Sequence, residues 1–295
     1  MNTPRPQHDA IDTIQHLGYS EREAAFLYTV AVYSGYFLRR QFNLFVQRER
    51  SAIATQFLRK ARRRGHVREL QCEPGRSLYQ LHAKSLYRIV RQKDSQNRRA
   101  KGTREIRRRL IMLDFVLAHL GKEECLDSEL SRRTFFARLG LKPDILVSAA
   151  QFGDLMPVTV RRTGDRQTVC FTFIDEGHRS TAKFERFLRT HDRLLCSLID
   201  FAVIYVATTP RNFEHVQRLF ERRFPATIVP QLPGSSSRNV RGVSEQPRAS
   251  FVTELITHSY PSALNPDPGY VAGQDEHFRN AQESLFSGEK RKDTG

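Results

Sequence analysis

The sequence predicts an α+β protein of more than one domain, on three observations. An arginine-rich amphipathic helix stands directly before a hairpin near the N-terminus. Two strands, a helix and an apolar strand follow in the second half, and 295 residues are enough for two separate cores. The predicted boundaries are 1–92 for a helix-and-hairpin domain, 93–140 for a basic linker with helices, 141–231 for a mixed α/β domain and 232–295 for a largely disordered tail.

The first helices follow ordinary start and stop signals. Ser20 with Glu23 forms a capping box for one helix, and Gly35 can end it. Arg39 and Arg40 belong to a short helix after it and are expected to stay in solvent. Further helices are predicted over residues 10–17, 38–46 and 83–91.

An arginine-dense helix begins after Ser51, whose hydroxyl can cap it. Gly65 stands where the chain must leave the helix. Apolar side chains recur at helical spacing and predict one buried face, which leaves the opposite face to polar and basic residues. The predicted buried stripe is Ile53, Phe57, Leu58 and Ala61.

A two-stranded hairpin follows this helix, over residues 66–72 and 77–82. Pro74 followed by Gly75 is typical of a type II turn, because proline fixes the first φ and glycine accepts the positive second one. Arg76 then lies at the hairpin tip. Helix, helix, arginine-rich helix and hairpin are the order of a winged helix-turn-helix domain, with the arginine-rich helix as its recognition helix.

The exposed face of the predicted recognition helix suits DNA. Its first turns offer small and hydrogen-bonding groups to base edges, and the arginines can reach phosphates. A basic amphipathic helix beside a hairpin could also be a solvated surface, but arginines on one side favour DNA. The predicted DNA-binding residues are Arg48, Arg50, Ser51, Thr55, Gln56, Arg59, Arg62, Arg63 and Arg76.

Charge and composition limit the binding partners and cofactors that we expect. The net charge of +16 favours a polyanion, with double-stranded DNA as the expected partner. No apolar run approaches the roughly 20 residues of a membrane span, and the N-terminus lacks a signal-peptide core, so a cytoplasmic protein without membrane contact is expected. The four cysteines have no metal-ligand spacing and are expected to be reduced, mostly buried thiols. No phosphate-binding loop or common hydrolase motif is present, so no cofactor is predicted.

Residues 92–109 are rich in arginine and poor in large apolar residues, which is typical of a solvated linker and would also suit a second phosphate-binding track. Helical spacing resumes at Ile106, and a shorter helix is predicted over 126–139. The second half then predicts strands over 155–161 and 167–175, a long helix capped by Ser180, a central strand over 201–207, a helix from Pro210 and an edge strand over 226–229. In the tail, residues 251–260 are the one piece that could dock.

This order of strands and helices is compatible with the core of metal-dependent DNA nucleases of the restriction-endonuclease type. Their chemistry needs carboxylates on the first and second strands to hold Mg²⁺, with a lysine two residues after the second carboxylate. Asp154, Asp175 and Glu176 are the candidates, but no lysine appears until Lys183. Asp175 and Glu176 also fit a strand-to-helix turn, where the helix dipole favours negative charge. We favour the turn and predict no catalytic residue or metal site.

Several segments resemble proteins of the replication-relaxation family, which occur on plasmids and integrative elements. The segments are YSEREAAFL at Tyr19–Leu27, the predicted recognition helix with its hairpin, FTFIDEGHRSTAKFERFLRTHDRLL at Phe171–Leu195 and DFAVIYVATTP at Asp200–Pro210. The resemblance implies a winged helix-turn-helix followed by a nuclease-like α/β domain that acts as a scaffold or protein contact. Pro157 without a following Asp, and Phe173 where members often carry Glu, argue against an inherited metal site.

The leading hypothesis is therefore a double-stranded DNA-binding protein in replication, transfer or transcriptional control of a plasmid or integrative element. The alternative is a Mg²⁺-dependent nuclease or nickase that uses Asp154, Asp175 and Glu176. A third hypothesis is an interaction protein whose winged domain contacts another protein. The sequence shows no heptad pattern of a dimerisation helix, so it does not decide whether the protein forms a homodimer. A replication or transfer protein is also left open as a partner.

Overall fold

The computed structural model describes residues 6–48, 52–73, 76–90, 95–145, 156–164, 166–225 and 248–264. Within these ranges the chain is an α+β protein with nine α-helices and two β-sheets. None of these helices is long and apolar enough to cross a membrane. The described residues divide into two compact units: unit 1 takes those within 1–120, 174–178 and 256–295, and unit 2 takes those within 121–173 and 179–255.

Unit 1 combines six helices with a three-stranded antiparallel sheet in the order β1-β3-β2. Tyr36 of β1 lies opposite Gln80 of β3, and Leu70 of β2 lies opposite Leu78 of β3. The elements are α1 Pro6–His16, α2 Glu21–Tyr33, β1 Tyr36–Leu38, α3 Arg39–Phe45, α4 Ala52–Arg63, β2 Val67–Glu73, β3 Arg76–Leu81, α5 Lys84–Ile89 and α6 Thr103–His119.

Helix α2 begins as the sequence predicts. The Ser20 hydroxyl accepts a hydrogen bond from the Glu23 amide, and the Glu23 carboxylate accepts one of 2.8 Å from the Ser20 amide. The helix ends at Tyr33, and Gly35 then takes a φ of +75°, where a Cβ would collide with the carbonyl oxygen of Asn97. Gly35 is thus required both by its backbone angle and by this close approach.

Buried aromatic rings form the centre of unit 1. Phe26, Phe37, Phe42 and Phe57 have no solvent exposure. The rings of Phe42 and Phe57 stack with centroids 4.2 Å apart, and Phe26 meets both edge-on. Each ring buried in this way contributes about 1.5 to 3 kcal/mol relative to an exposed one. This cluster fixes α3 and α4 against α2.

Residues 95–109 are not the solvated linker that the arginine-rich composition predicts, and the buried part of this stretch is no phosphate track. The Asn97 amide nitrogen donates hydrogen bonds of 3.0 and 2.7 Å to the carbonyls of Ala31 and Val32. Arg109 is fully buried and donates to Glu105 at 2.8 Å and to the Ser34 carbonyl at 2.9 Å. Composition cannot reveal these partners, because Ser34 lies 75 residues earlier in the chain.

Arg40 differs from its prediction, whereas Arg39 does not. Arg39 is exposed. The guanidinium nitrogens of Arg40 lie 2.7 Å from both carboxylate oxygens of Asp114, a residue of α6 whose side chain has no exposure. A buried carboxylate needs such a partner, which draws Arg40 out of solvent.

Unit 2 is built on a five-stranded sheet in the order β4-β5-β6-β7-β8. Strands β4, β5 and β6 are antiparallel neighbours, and β8 runs parallel to β7. Every residue of β7 is buried, which confirms the predicted central strand. The elements are β4 Glu124–Cys125, α7 Glu129–Arg138, β5 Val158–Thr163, β6 Arg166–Ile174, α8 Ser180–Cys196, β7 Asp200–Ala207, α9 Phe213–Arg223 and β8 Arg248–Leu255.

Several details of unit 2 depart from the predictions. Arg179, with a φ of 49°, is the N-cap of α8 in place of Ser180. In the tail, which is predicted to be largely disordered apart from a piece at 251–260 that could dock, residues 248–255 form β8, because β7 supplies hydrogen-bond partners that composition does not show. The predicted strand at 226–229 lies outside the described residues. None of the four cysteines forms a disulfide, and Cys170 alone is buried, so the prediction of mostly buried thiols is wrong.

Candidate nucleic-acid interface

Helix α4 is held by one face and exposes the other. Its buried residues are Ala54, Phe57, Leu58 and Ala61, which follow the i, i+3, i+4, i+7 spacing of a single helical stripe. Ile53 was predicted in that stripe but is 43% exposed, because it stands one position before the stripe begins. Because Phe57 packs into the aromatic centre of unit 1, the opposite face of α4 must point to solvent.

The exposed face of α4 carries the polar residues that the sequence predicts there. Thr55, Gln56, Arg59, Arg62 and Arg63 are all exposed. Within the described ranges, the side chains of Gln56, Arg59 and Arg63 form no hydrogen bond or ion pair. Arg62 instead pairs with Glu69 of β2 at 2.5 Å. Three side chains with unused donors thus lie along this face.

A shallow open depression runs beside α4. Its lining consists of Gln56, Arg59, Lys60, Arg63 and Arg64. The sequence predicts Arg59 and Arg63 as site residues but does not assign Lys60 and Arg64, which follow them directly. Four cations around one depression create a local positive potential that favours an anion.

Two cations of the depression, Lys60 and Arg64, are positioned by the start of α2. The Lys60 ammonium lies 2.5 Å from the Glu23 carboxylate, and Arg64 donates to the Leu17 carbonyl. Both cations also lie over the ring of Tyr19, at 5.4 and 5.6 Å from its centroid. The wall of the depression is therefore preorganised by residues that lie 37 and 47 positions before Lys60 and Arg64 in the chain.

His66 contacts Tyr19, over whose ring Lys60 and Arg64 lie. Its Nδ1 shares a hydrogen bond of 2.8 Å with the Tyr19 hydroxyl. Burial, with a smaller contribution from the Arg64 charge, lowers the pKa of His66. Burial also raises the pKa of Tyr19. Both rings are thus neutral at neutral pH, and the positive charge of the depression comes from the lysine and arginines alone.

Helix α3 adds a cation to the same surface. The Arg39 guanidinium donates a hydrogen bond of 2.8 Å to the Thr55 hydroxyl on α4. The sequence predicts Arg39 in solvent but does not assign it to the site. The bond fixes Thr55 beside an exposed cation, so this part of α4 presents positive charge as well as a hydroxyl.

Arg76 is the first residue of β3, next to the tip of the hairpin, and it is exposed. Its guanidinium lies 3.4 Å from the carbonyl oxygen of Tyr260. Glu69 of β2 accepts a hydrogen bond of 2.6 Å from the Ser77 hydroxyl of β3 and also pairs with Arg62 of α4, which ties the hairpin to the helix. Residues 74–75, where the type II turn is predicted, lie outside the described residues.

The remaining predicted DNA-binding residues are placed in part. Arg48 is exposed after α3. Arg50 and Ser51 lie outside the described residues, so the predicted cap of α4 has no structural account.

The carboxylates considered for catalysis lie after β6. Asp175 and Glu176 are each 4% exposed, and Asp175 accepts a hydrogen bond of 2.6 Å from the Gly177 amide, as expected of a turn. Burial lowers the pKa of Arg107, while Tyr260, Asp175 and Glu176 act in the opposite direction. The two carboxylates thus lie close enough to Arg107 to favour its charged form. Asp154 lies outside the described residues, and the described ones hold no group of three His, Cys, Asp or Glu side chains placed to bind a metal.

No protein-family model matches the chain, and neither curated proteins nor solved structures give a match.

Proposed function

We propose that the protein binds double-stranded DNA through the exposed face of α4. The observation that carries the proposal is the row of Gln56, Arg59 and Arg63, whose donors are unused within the described residues, on a helix anchored by its other face. A DNA groove offers acceptors at base edges and at phosphates on either side, at the reach of such side chains. The net charge of +16 adds a general attraction to phosphate.

We propose that this part of unit 1 is a winged helix-turn-helix. Its support is the element order α2, β1, α3, α4, β2, β3 with the sheet order β1-β3-β2, in which two helices lead directly into a hairpin. In this arrangement α4 enters the major groove and the hairpin contacts the neighbouring backbone. Arg39, which bonds Thr55 of α4, and Arg76 of the hairpin would then contact phosphates.

We further propose that unit 2 is a nuclease-like α/β fold in a non-catalytic role, and that the protein serves replication, transfer or transcriptional control of a plasmid or integrative element in the cytoplasm. The antiparallel strands β5 and β6, followed by α8 and β7, support the fold assignment. The turn made by Asp175 and Gly177 belongs to unit 1, so the two described candidate carboxylates lie outside unit 2, which supports the non-catalytic role. The resemblance to replication-relaxation proteins supports the setting.

The proposal predicts how single arginines affect binding. Arg63→Ala and Arg76→Ala are each expected to weaken binding several-fold on every duplex, and to reduce the slope of log affinity against log salt by about 1, because each removes one phosphate contact. Fluorescence anisotropy with a labelled duplex between about 50 and 200 mM salt measures both quantities.

The matched control is Arg189→Ala, which removes the same charge from an exposed position on α8 of unit 2. We expect it to leave the affinity and the salt slope unchanged. An equal loss of affinity in the control would mean that net charge alone attracts DNA. Normal binding by both Arg63→Ala and Arg76→Ala would show that α4 and the hairpin do not contact DNA.

A further inference from the structure

Unit 1 includes a short segment from the far end of the described chain. Residues 256–264 follow β8 of unit 2 and are packed within unit 1. Ile256, Tyr260 and Leu264 of this segment are 7%, 7% and 1% exposed. Its final turn, Ser262–Leu264, lies beside both α6 and strand β2 of the hairpin. We call residues 256–264 the C-terminal segment.

Tyr260 joins the C-terminal segment to α3 and α6. Its hydroxyl donates a hydrogen bond of 2.7 Å to Asp114, the same carboxylate that Arg40 holds with two nitrogens. The guanidinium groups of Arg40 and Arg107 lie 5.1 and 5.3 Å from the centroid of the Tyr260 ring. Burial and the Asp114 charge raise the pKa of Tyr260, so the hydroxyl keeps its proton and remains a donor. Charge-assisted hydrogen bonds of this kind are among the stronger ones in proteins.

The same residue reaches the hairpin. The Tyr260 carbonyl accepts a long hydrogen bond of 3.4 Å from Arg76. A long bond of this kind is weak. The packing of residues 262–264 beside β2 gives a second connection, which does not depend on Arg76. The C-terminal segment therefore touches the hairpin at two places, while Asp114 and Arg40 hold it on the helices.

We propose that the C-terminal segment is a buttress that holds the hairpin in position, and that Tyr260 is a positioning residue for the DNA contact made by Arg76. This rests on the proposed function, because a fixed hairpin matters only if its tip meets a partner. Strand β1 pairs with β3 only at residues 78–80, so the part of the hairpin nearer its tip consists of two strands. Two strands alone are marginally stable, and outside support limits the directions in which the tip can point. Residues that come after unit 2 in the chain would thus set the DNA affinity of unit 1.

The first test measures the hairpin without DNA. In the full chain, Tyr260→Phe removes the hydroxyl and keeps the ring, and Tyr260→Ala removes both. We expect amide hydrogen exchange in residues 67–81 to become about tenfold faster or more in Tyr260→Ala, with a smaller change in Tyr260→Phe, while α2 keeps its protection. Thr29→Val is the control, because it removes a buried hydroxyl that bonds the Ala25 carbonyl within α2, away from the segment and from the hairpin strands.

The second test measures DNA affinity in a double-mutant cycle of Tyr260→Ala and Arg76→Ala. We expect Tyr260→Ala to weaken binding several-fold in the native background and to have almost no effect once Arg76 is absent. Additive losses, unchanged hairpin exchange, or equal acceleration throughout unit 1 would each overturn the buttress. A chain that shows no DNA binding at all refutes the proposed function instead, and the exchange experiment still decides whether the segment holds the hairpin.

Discussion

Replacing Glu105 with alanine is expected to destabilise unit 1 by about 3 to 5 kcal/mol, the cost of leaving a buried charge without its partner. The carboxylate of Glu105 lies 2.8 Å from the guanidinium of Arg109, whose side chain has no solvent exposure, and 2.8 Å from that of Arg108. Burial alone would raise the pKa of Glu105, but Arg108 and Arg109 hold it below its ordinary value, so the carboxylate is ionised at neutral pH. Without it, Arg109 loses the carboxylate of this ion pair, and its hydrogen bond to the Ser34 carbonyl does not neutralise the guanidinium.

Native-state hydrogen exchange of the α2 and α6 amides measures this loss, because these helices belong to the core of unit 1. The control is Glu185→Ala, an exposed position on α8, where a surface substitution changes stability by about 0.5 kcal/mol or less. Arg109 also donates a hydrogen bond to the side-chain oxygen of Asn97. A loss below about 1 kcal/mol for Glu105→Ala would show that this oxygen and the Ser34 carbonyl suffice to hold Arg109.

Acidification is expected to destabilise unit 2 by about 3 kcal/mol through His191. Burial, with the positive charge of Arg132 beside it, lowers the pKa of His191 to about 4. In the unfolded chain the imidazole titrates near its ordinary value, so the unfolded state binds more protons between about pH 6.5 and 4. The stabilisation is complete above this window and is lost as the pH falls through it.

Exchange of the β7 and α8 amides at pH 7, 5.5 and 4 follows this change, after correction for the intrinsic rates. His191→Gln should flatten the pH dependence, because glutamine does not titrate. His215→Gln, at an exposed position on α9, should leave it as in the native chain. An identical pH dependence in the native chain and in His191→Gln would show that other groups cause the acid sensitivity.

The exposed face of α4 could be predicted from sequence, because helical periodicity decides which residues share a face. Thr55, Gln56, Arg59 and Arg63 are exposed as expected. The prediction of the buried face is wrong at its first residue, because it selects Ile53, which is more apolar than Ala54. The packing around Phe57 selects Ala54 and leaves Ile53 in solvent. Apolar character alone favours Ile53 as a buried residue, whereas the rotation of α4 about its axis, which is set by the packing of Phe57, buries Ala54.

Features that depend on distant partners could not be predicted in this way. Asn97 and Arg109 are polar residues in an arginine-rich stretch, and their partners lie in and after α2. Lys60 is positioned by Glu23, which the sequence shows only as part of a capping box. Tyr260 belongs to residues 251–260, which the sequence predicts could dock, but its partner Asp114 is 146 residues away and no local pattern indicates it. A local pattern indicates that a side chain is polar but does not show what it binds.

The most direct test of DNA recognition by α4 is a specificity ratio. Fragments bound from a random-sequence DNA pool give the preferred duplex, and affinities for it and for an unrelated duplex give the ratio. We predict that Gln56→Ala with Arg59→Ala lowers this ratio by about tenfold or more, because lost base contacts are worth about 1 to 3 kcal/mol each. Arg186→Ala with Arg189→Ala, two exposed positions on α8, should leave it unchanged. A ratio unaffected by the α4 substitutions would contradict recognition through this helix.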